Sequence, residues 1–270
     1  MKKNKFIKNL IIVLTFIFLY APIIVLVLYS FNKSEMNIIF TGFTFRWYKE
    51  LFSNTDLLEA FMNTLIIAFT STIVSTIIGT ISAIGLYKFN FPLKKLINGL
   101  VYIPIVIPEI VLGISLLSVY TIGNLKLGMG SLILSHIAFS IPFVITSVRS
   151  TLNLLPKEYE EAAYDLGANK FNVLTKITLP LITPGIISGA TLALTLSLDD
   201  VVISYFTAGP GSNTLPLHIY SIIKTGITPD VNALSTLMLL ATVIILTVSA
   251  MYQSRKIASR GGNRWKKFLY

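Results

Sequence analysis

Apolar residues in this chain gather into long runs separated by short polar stretches. A helix that crosses a membrane needs about 20 mostly apolar residues. Six stretches reach that length, at about 9–31, 61–87, 96–122, 131–149, 181–206 and 232–252. The 270 residues are 54% hydrophobic and only 13% charged, too apolar for an ordinary soluble domain. The expected fold is an all-α membrane protein with six transmembrane helices. The first run is too long for a secretory leader and lacks a clear small-x-small cleavage site, so it is expected to stay as an anchor.

Basic residues orient these helices. If both termini are cytoplasmic, the inner side receives Lys2, Lys3, Lys5 and Lys8, then Lys88, Lys94 and Lys95. It also receives Arg149, Lys157, Lys170 and Lys176, and a tail at 253–270 with Arg255, Lys256, Arg260, Arg264, Lys266 and Lys267. Only Lys33, Arg46, Lys49, Lys126 and Lys224 of the 22 basic residues fall outside, as the positive-inside rule requires. The net charge of +10 is thereby explained without nucleic acid. The expected order is a cytoplasmic segment 1–8, a membrane domain 9–252 with a cytoplasmic loop at 150–180, and the basic tail.

That loop is the longest polar stretch between membrane runs. Pro156 suits a first helical position, and Glu158, Glu160 and Glu161 suit the positive end of a helix dipole. Tyr159, Ala162, Ala163 and Leu166 fall on one helical face, and the alanines keep it shallow. Gly167 is placed to end this helix, a second short helix is expected over Lys170–Thr178, and Pro180 is expected to stop it. Periodicity alone favours an ordinary amphipathic surface helix between two spans.

Within the membrane runs, Pro104 and Pro108 predict a kink, followed by Glu109 about 20 Å along a straight helix. In the fifth run Thr183 and Pro184 are expected to open the helix. Gly185, Gly189, Ala193 and Ser197 then recur every four residues, a seam for close helix contact. Beside it run Ser188, Thr191, Thr195 and Asp199, with Asp200 next. Carboxylates in a membrane pair with basic groups or mark a transport path. Glu109, Asp199 and Asp200, with hydroxyls and aromatic faces such as Tyr205 or Trp47, suit a cation path. Protonated or helix-capping aspartates are the structural alternative. Trp47 and Tyr48, on an external segment at about 32–60, also suit an interfacial anchor.

Other chemistry has little support. The chain has no cysteine, and its histidines, His136 and His218, are far apart, so no metal site is expected. No Gly-x-x-x-x-Gly-Lys-Ser/Thr phosphate loop occurs, so ATP hydrolysis by this chain is not expected. An intramembrane aspartyl protease needs carboxylates facing each other from two spans, whereas Asp199 and Asp200 are adjacent on one helix, about 100° apart. An ATP-independent channel or carrier is a further alternative.

The spacing of the polar loop carries a resemblance. Glu161-Ala162-Ala163, then Gly167, then Ile177-x-Leu179-Pro180 resembles the signature loop of ABC importer permeases of the MetI-like type. The resemblance implies that these residues form a cytoplasmic coupling helix seated in a cleft on a separate ATPase, which would hold ATP and Mg. Pro108-Glu109-Ile110-Val111, Ser197-Leu198-Asp199-Asp200-Val201-Val202 and Phe206-Thr207-Ala208-Gly209-Pro210 resemble the spermidine/putrescine permeases of that family. That narrower likeness implies a non-enzymatic subunit of the bacterial plasma membrane, paired with a sister permease, two ATPase subunits and an external polyamine-binding protein. It also implies that Trp47, Glu109, Ser197, Asp199 and Asp200 lie along the substrate route. The loop alone fits an importer of another small solute, such as an inorganic ion.

Overall fold

A computed structural model describes residues 2–34, 39–223 and 229–244, with 247 and 251. It is helical almost throughout. In order, the helices are α1 (Lys2–Tyr29), α2 (Arg46–Ser53), α3 (Thr55–Lys88), α4 (Lys94–Val106), α5 (Glu109–Ile122), α6 (Met129–Asn153), α7 (Glu158–Asp165) and α8 (Lys170–Val173). A π turn (Leu174–Thr178), α9 (Leu179–Asp199), α10 (Val202–Thr207) and α11 (Leu215–Ile223) come next, then α12 (Pro229–Ile244). Two compact units emerge, Met1–Thr55 with Ile222–Tyr270, and Asp56–Ser221.

In the first unit, every residue of α1 from Ile7 to Tyr20 is exposed, as expected of a helix with lipid for a neighbour. Beyond it the chain doubles back through an antiparallel bridge between Asn32 and Phe43. Lys33 N–H donates to Gly42 O at 2.9 Å, and Thr44 N–H to Phe31 O at 2.8 Å. Phe31, Phe43, Phe45 and Tyr48 stack over this turn. Among its described residues, the external segment at about 32–60 thus holds one short helix, α2, and from Thr55 it already belongs to α3.

The second unit is organised by α6 and α9. Ala83 and Leu86 of α3, Val144, Ile145, Val148 and Leu152 of α6, and Ile182 and Ala193 of α9 form one buried cluster. The seam read from the sequence lies on the buried side of α9: Gly185, Gly189, Ala193 and Ser197 are all buried. A Cβ at Gly185 would collide with the Thr151 side chain, and one at Gly189 would lie 3.1 Å from Val144 Cα. Ser147 Oγ donates to Gly185 O at 3.0 Å across the same contact. Apolar helix surfaces gain little by hiding from lipid, so close approach and dispersion must hold this pair.

Several expected boundaries change. The run 96–122 is not one straight helix: α4 and α5 meet at Ile107 and Pro108 with a bend of 113°. The straight-rise depth for Glu109 therefore does not apply. Pro104 stays inside α4, and the break falls at Pro108, which lacks the N–H to continue the ladder. The run 181–206 divides as well, because α9 ends at Asp199 and α10 starts at Val202. Upstream, helix is continuous from Lys170 to Asp199, so Pro180 stops nothing and Thr183 and Pro184 do not open the helix. A π turn absorbs Pro180: Leu179 N–H bonds Leu174 O, five residues back, just before the proline. Among the described residues, four helices are long and apolar enough to cross a membrane, or five if the bent pair is one span. The run 232–252 is described as continuous helix only to Ile244, and the basic tail lies outside the described residues.

Replacing Gly185 by Leu should force α9 off α6. We expect the detergent-solubilised chain to lose about 1–3 kcal/mol of stability, read by thermal unfolding.

Candidate functional site

A helix broken inside a membrane leaves amides and carbonyls that lipid cannot satisfy, so each must find a partner in the protein. The break after α9 solves this with its own side chain. Asp200 turns to an extended backbone, with φ −65° and ψ 125°. Its carboxylate accepts the Ile203 N–H at 3.1 Å, the Ser204 N–H at 2.8 Å and the Ser204 hydroxyl at 2.7 Å, capping α10. Behind it stands His136 of α6, with Nε2 3.5 Å from Asp200 Oδ2 and 3.2 Å from Ser204 Oγ. Its Nδ1 lies 2.6 Å from Ser197 Oγ, which lies 3.2 Å from Ser71 Oγ of α3. Ser71, His136, Ser197, Asp200 and Ser204 are all buried. One polar network thus ties α3, α6, α9 and α10 together.

The predicted path residues separate into three sets. Ser197 and Asp200 face inward and are engaged in this network, so the capping alternative holds for Asp200. Asp199 and Thr195, four residues apart, lie exposed on α9, and Thr195 Oγ1 donates back to Thr191 O at 2.9 Å. Glu109 is exposed at the first residue of α5. That helix packs on α10, close enough that a Cβ at Gly113 would lie 2.7 Å from the Phe206 ring. Trp47 belongs to the other unit, where it is buried and its Nε1 donates to Asn32 O at 2.6 Å. An aspartyl dyad is ruled out, because Asp199 faces outward while Asp200 is held by His136 and Ser204. Ser197, His136 and Asp200 have the composition of a hydrolytic triad, but a buried serine with two partners presents no nucleophile. Among the described residues no group of three His, Asp or Glu side chains is placed to hold a metal. A cavity of about 240 Å³ in the first unit, walled by Val27, Phe31, Phe45, Tyr48, Thr236 and Leu239, turns only apolar surface inward, because the Thr236 hydroxyl is spent on Asn232 O.

The polar loop forms a second locus. Helix α7 closes in a Schellman turn: Gly167 takes φ +79°, its N–H bonds Tyr164 O at 2.9 Å, and Ala168 N–H bonds Ala163 O at 3.0 Å. Nothing lies within 4 Å of a Cβ built at Gly167, so the position demands backbone freedom rather than space. Glu161 and Ala162 are exposed, Ala163 is buried, and Ile177 and Leu179 are half-buried. Pro180 is exposed at the start of α9. Sequence reasoning missed the ion pair behind this elbow. Lys88 Nζ, at the end of α3, donates to Glu160 Oε1 at 2.8 Å, and Thr178 Oγ1 donates to the same oxygen at 2.7 Å. Burial opposes ionisation of Glu160. The hydrogen bonds from Lys88 and Thr178, with the Lys88 charge, outweigh it and hold the carboxyl below the ordinary glutamate range. His136 was missed too, although a lone histidine inside an apolar run was signal enough.

Comparison with known proteins decides the family. Residues 75–260 match the model of the binding-protein-dependent transport system inner membrane component. The chain belongs to that family. Among curated relatives, this permease is 40% identical over 246 residues to the spermidine/putrescine transport system permease protein PotC of Haemophilus influenzae, covering 91% of this chain and 96% of that protein. PotC of Escherichia coli K12 is 41% identical, with 91% and 93% covered. The putrescine transport system permease protein PotI of the same strain is 40% identical over 242 residues, with 87% and 86% covered. In fold, the permease resembles a bacterial ABC transporter that imports the acidic polysaccharide alginate, with TM-score 0.70, 15% identity, and 93% and 96% of the two chains covered. It also resembles the MetNI methionine ABC transporter in an inward-facing form, with TM-score 0.60, 22% identity, and 72% and 92% covered. It is a multi-pass membrane protein of the MetI-like type, and its relatives are transporter subunits rather than enzymes.

The two aspartates should behave differently. Asp200→Ala leaves buried donors unpaired and should cost about 1–3 kcal/mol. Asp199→Ala should stay within about 0.5 kcal/mol of wild type, both read by thermal unfolding in detergent. The Glu160 pair should also give stability a pH dependence. Because its folded value is depressed, its contribution is full above the ordinary glutamate range and is lost as pH falls through the folded value. Wild type should therefore lose more stability than Glu160→Gln when unfolding is compared at neutral and strongly acidic pH.

Proposed function

We propose that this permease forms part of the membrane route of an ATP-driven polyamine importer. The observation that carries the reading is Asp199, an exposed carboxylate at the break that ends the long apolar helix α9, in a chain 40% identical to PotC over nine-tenths of its length. Acids within membrane helices face a partner or a water-filled path rather than lipid. A polyvalent amine passing beside Asp199 supplies the missing counter-charge. Glu109 and Thr195 are the other exposed polar groups in the proposed path. Ser197 and Asp200 serve it from behind, by holding the break. Trp47 serves by fixing the turn after α1.

The cargo arrives on an external binding protein, and a sister permease completes the route. One of the solved fold neighbours is an alginate importer in complex with its periplasmic binding protein, which supports this kind of assembly. Two ATPase subunits, carrying ATP and Mg, dock on the cytoplasmic side, where both termini also lie. The elbow suits that docking, since Tyr159, Leu166 and Phe171 are 55%, 89% and 71% exposed on an otherwise polar segment. A partner seated on the elbow would cover these groups. Displacement of the elbow is then passed to the spans as a two-state switch.

Two experiments test the reading. In vesicles bearing the complete complex, Asp199→Asn and Glu109→Gln should each lower radiolabelled spermidine uptake about tenfold, equivalent to about 1.4 kcal/mol, with membrane insertion unchanged. Unchanged uptake, or transport competed by an inorganic ion and not by polyamines, would overturn the cargo assignment. Gly167→Trp forces a side chain into a left-handed backbone at about 1–2 kcal/mol and should abolish coupled uptake while leaving the chain in the membrane. Normal uptake by that variant would remove the elbow from the coupling path.

A further inference from the structure

The elbow helix is held to the membrane helices by few side chains for a part that must carry a load. Within α7, only Ala163 is buried, and it contributes one methyl group. Glu160 is half-buried, and its Oε1 is where three elements meet. Lys88 closes α3 and reaches that oxygen at 2.8 Å. Thr178, fully buried at the end of the π turn, reaches it at 2.7 Å, and Lys88 Nζ lies 3.4 Å from the same threonine hydroxyl. Each charge stands where its helix favours it, the lysine in a last turn and the glutamate in a first turn.

The Leu179-Pro180 pair accounts for the geometry. A regular α-helix through Pro180 would press its ring on the Lys176 carbonyl and leave that carbonyl without a donor. The chain widens instead into the π turn, with Leu179 N–H on Leu174 O. Such a turn shifts the angular position of its last residue and of those that follow, and here Thr178 faces Glu160. Directly behind the joint lies the close-packed cluster containing Leu86, two residues before Lys88, and Ile182, four residues after Thr178. Leu179 packs on that cluster as well. Such interiors transmit displacement rather than absorbing it.

We propose that Lys88, Glu160 and Thr178 form a polar joint that passes movement of α7 into α3 and α9, and that these three are positioning residues for coupling. This rests on the elbow being the ATPase docking site. The joint makes no contact with cargo, so it should act on coupling efficiency and not on substrate affinity.

The test uses proteoliposomes with the whole complex, measuring ATPase retention, hydrolysis stimulated by spermidine-loaded binding protein, and radiolabelled spermidine uptake. Lys88→Met and Glu160→Gln should each keep the ATPase bound and leave half-saturation for spermidine unchanged. Each should cut uptake per ATP hydrolysed about tenfold, and the exchange Lys88→Glu with Glu160→Lys should recover most of that loss. Unchanged uptake per ATP in both single variants, or an exchange no better than either, overturns the joint. Loss of ATPase binding in the single variants overturns it too, because Glu160 would then belong to the docking face. A wild-type complex that holds no ATPase at the elbow instead defeats the docking reading itself. The chain has no cysteine of its own, so Lys88→Cys with Glu160→Cys can be bridged by a bis-maleimide. Bridged protein should transport more per ATP than unbridged, and a bridge that arrests transport overturns a joint that moves as one body.

Discussion

Lipid offers no hydrogen bonds, and the architecture of the second unit derives from that constraint. A helix can stop inside the membrane only if its loose ends are received by other groups of the protein. At the break between α9 and α10, Asp200 receives the amides of Ile203 and Ser204, and His136 stands behind the carboxylate. His136 reaches Ser197 on the other side, and Ser197 reaches Ser71. Four helices are registered against one another through a handful of polar atoms. The glycine and alanine seam of α9 brings the backbones near enough for those atoms to meet, so apolar packing and polar registration depend on each other.

The elbow meets a different constraint. Its helix α7 is polar and largely exposed, as suits the water-facing place proposed for it. Its requirement is a fixed attitude relative to α3 and α9. The Schellman turn at Gly167 sets its exit, and the Lys88–Glu160–Thr178 group sets its hold. A surface ion pair is usually worth little. This one is partly shielded, with side chains 21% and 22% exposed, and it shares its acceptor with a buried hydroxyl. Its value lies in geometry more than in stability.

Much of this is legible from residue spacing. The small-residue seam is visible as Gly185, Gly189, Ala193 and Ser197, because a period of four in an apolar run has a direct packing meaning. The corner at Gly167 is readable because few residues tolerate a left-handed backbone. Prolines are poorer guides, since a proline near a helix need not stop it. Pro180 is accommodated by a wider turn and Pro184 lies inside a helix, whereas Pro108 coincides with a break. The Lys88–Glu160 pair spans 72 residues of sequence, and no local pattern joins them. Adjacent Asp199 and Asp200 look alike on paper, because only a helix break between them reverses the side on which the second one lies.

That reversal separates two properties which a continuous helix would have fused. The outward aspartate can be replaced without loosening the scaffold, while its inward neighbour is committed to holding the chain together. On the route proposed above, a duplicated gene could therefore wander toward a new solute by altering the first position alone, never passing through an ancestor unable to assemble. Architectural permanence and freedom of taste sit on consecutive residues.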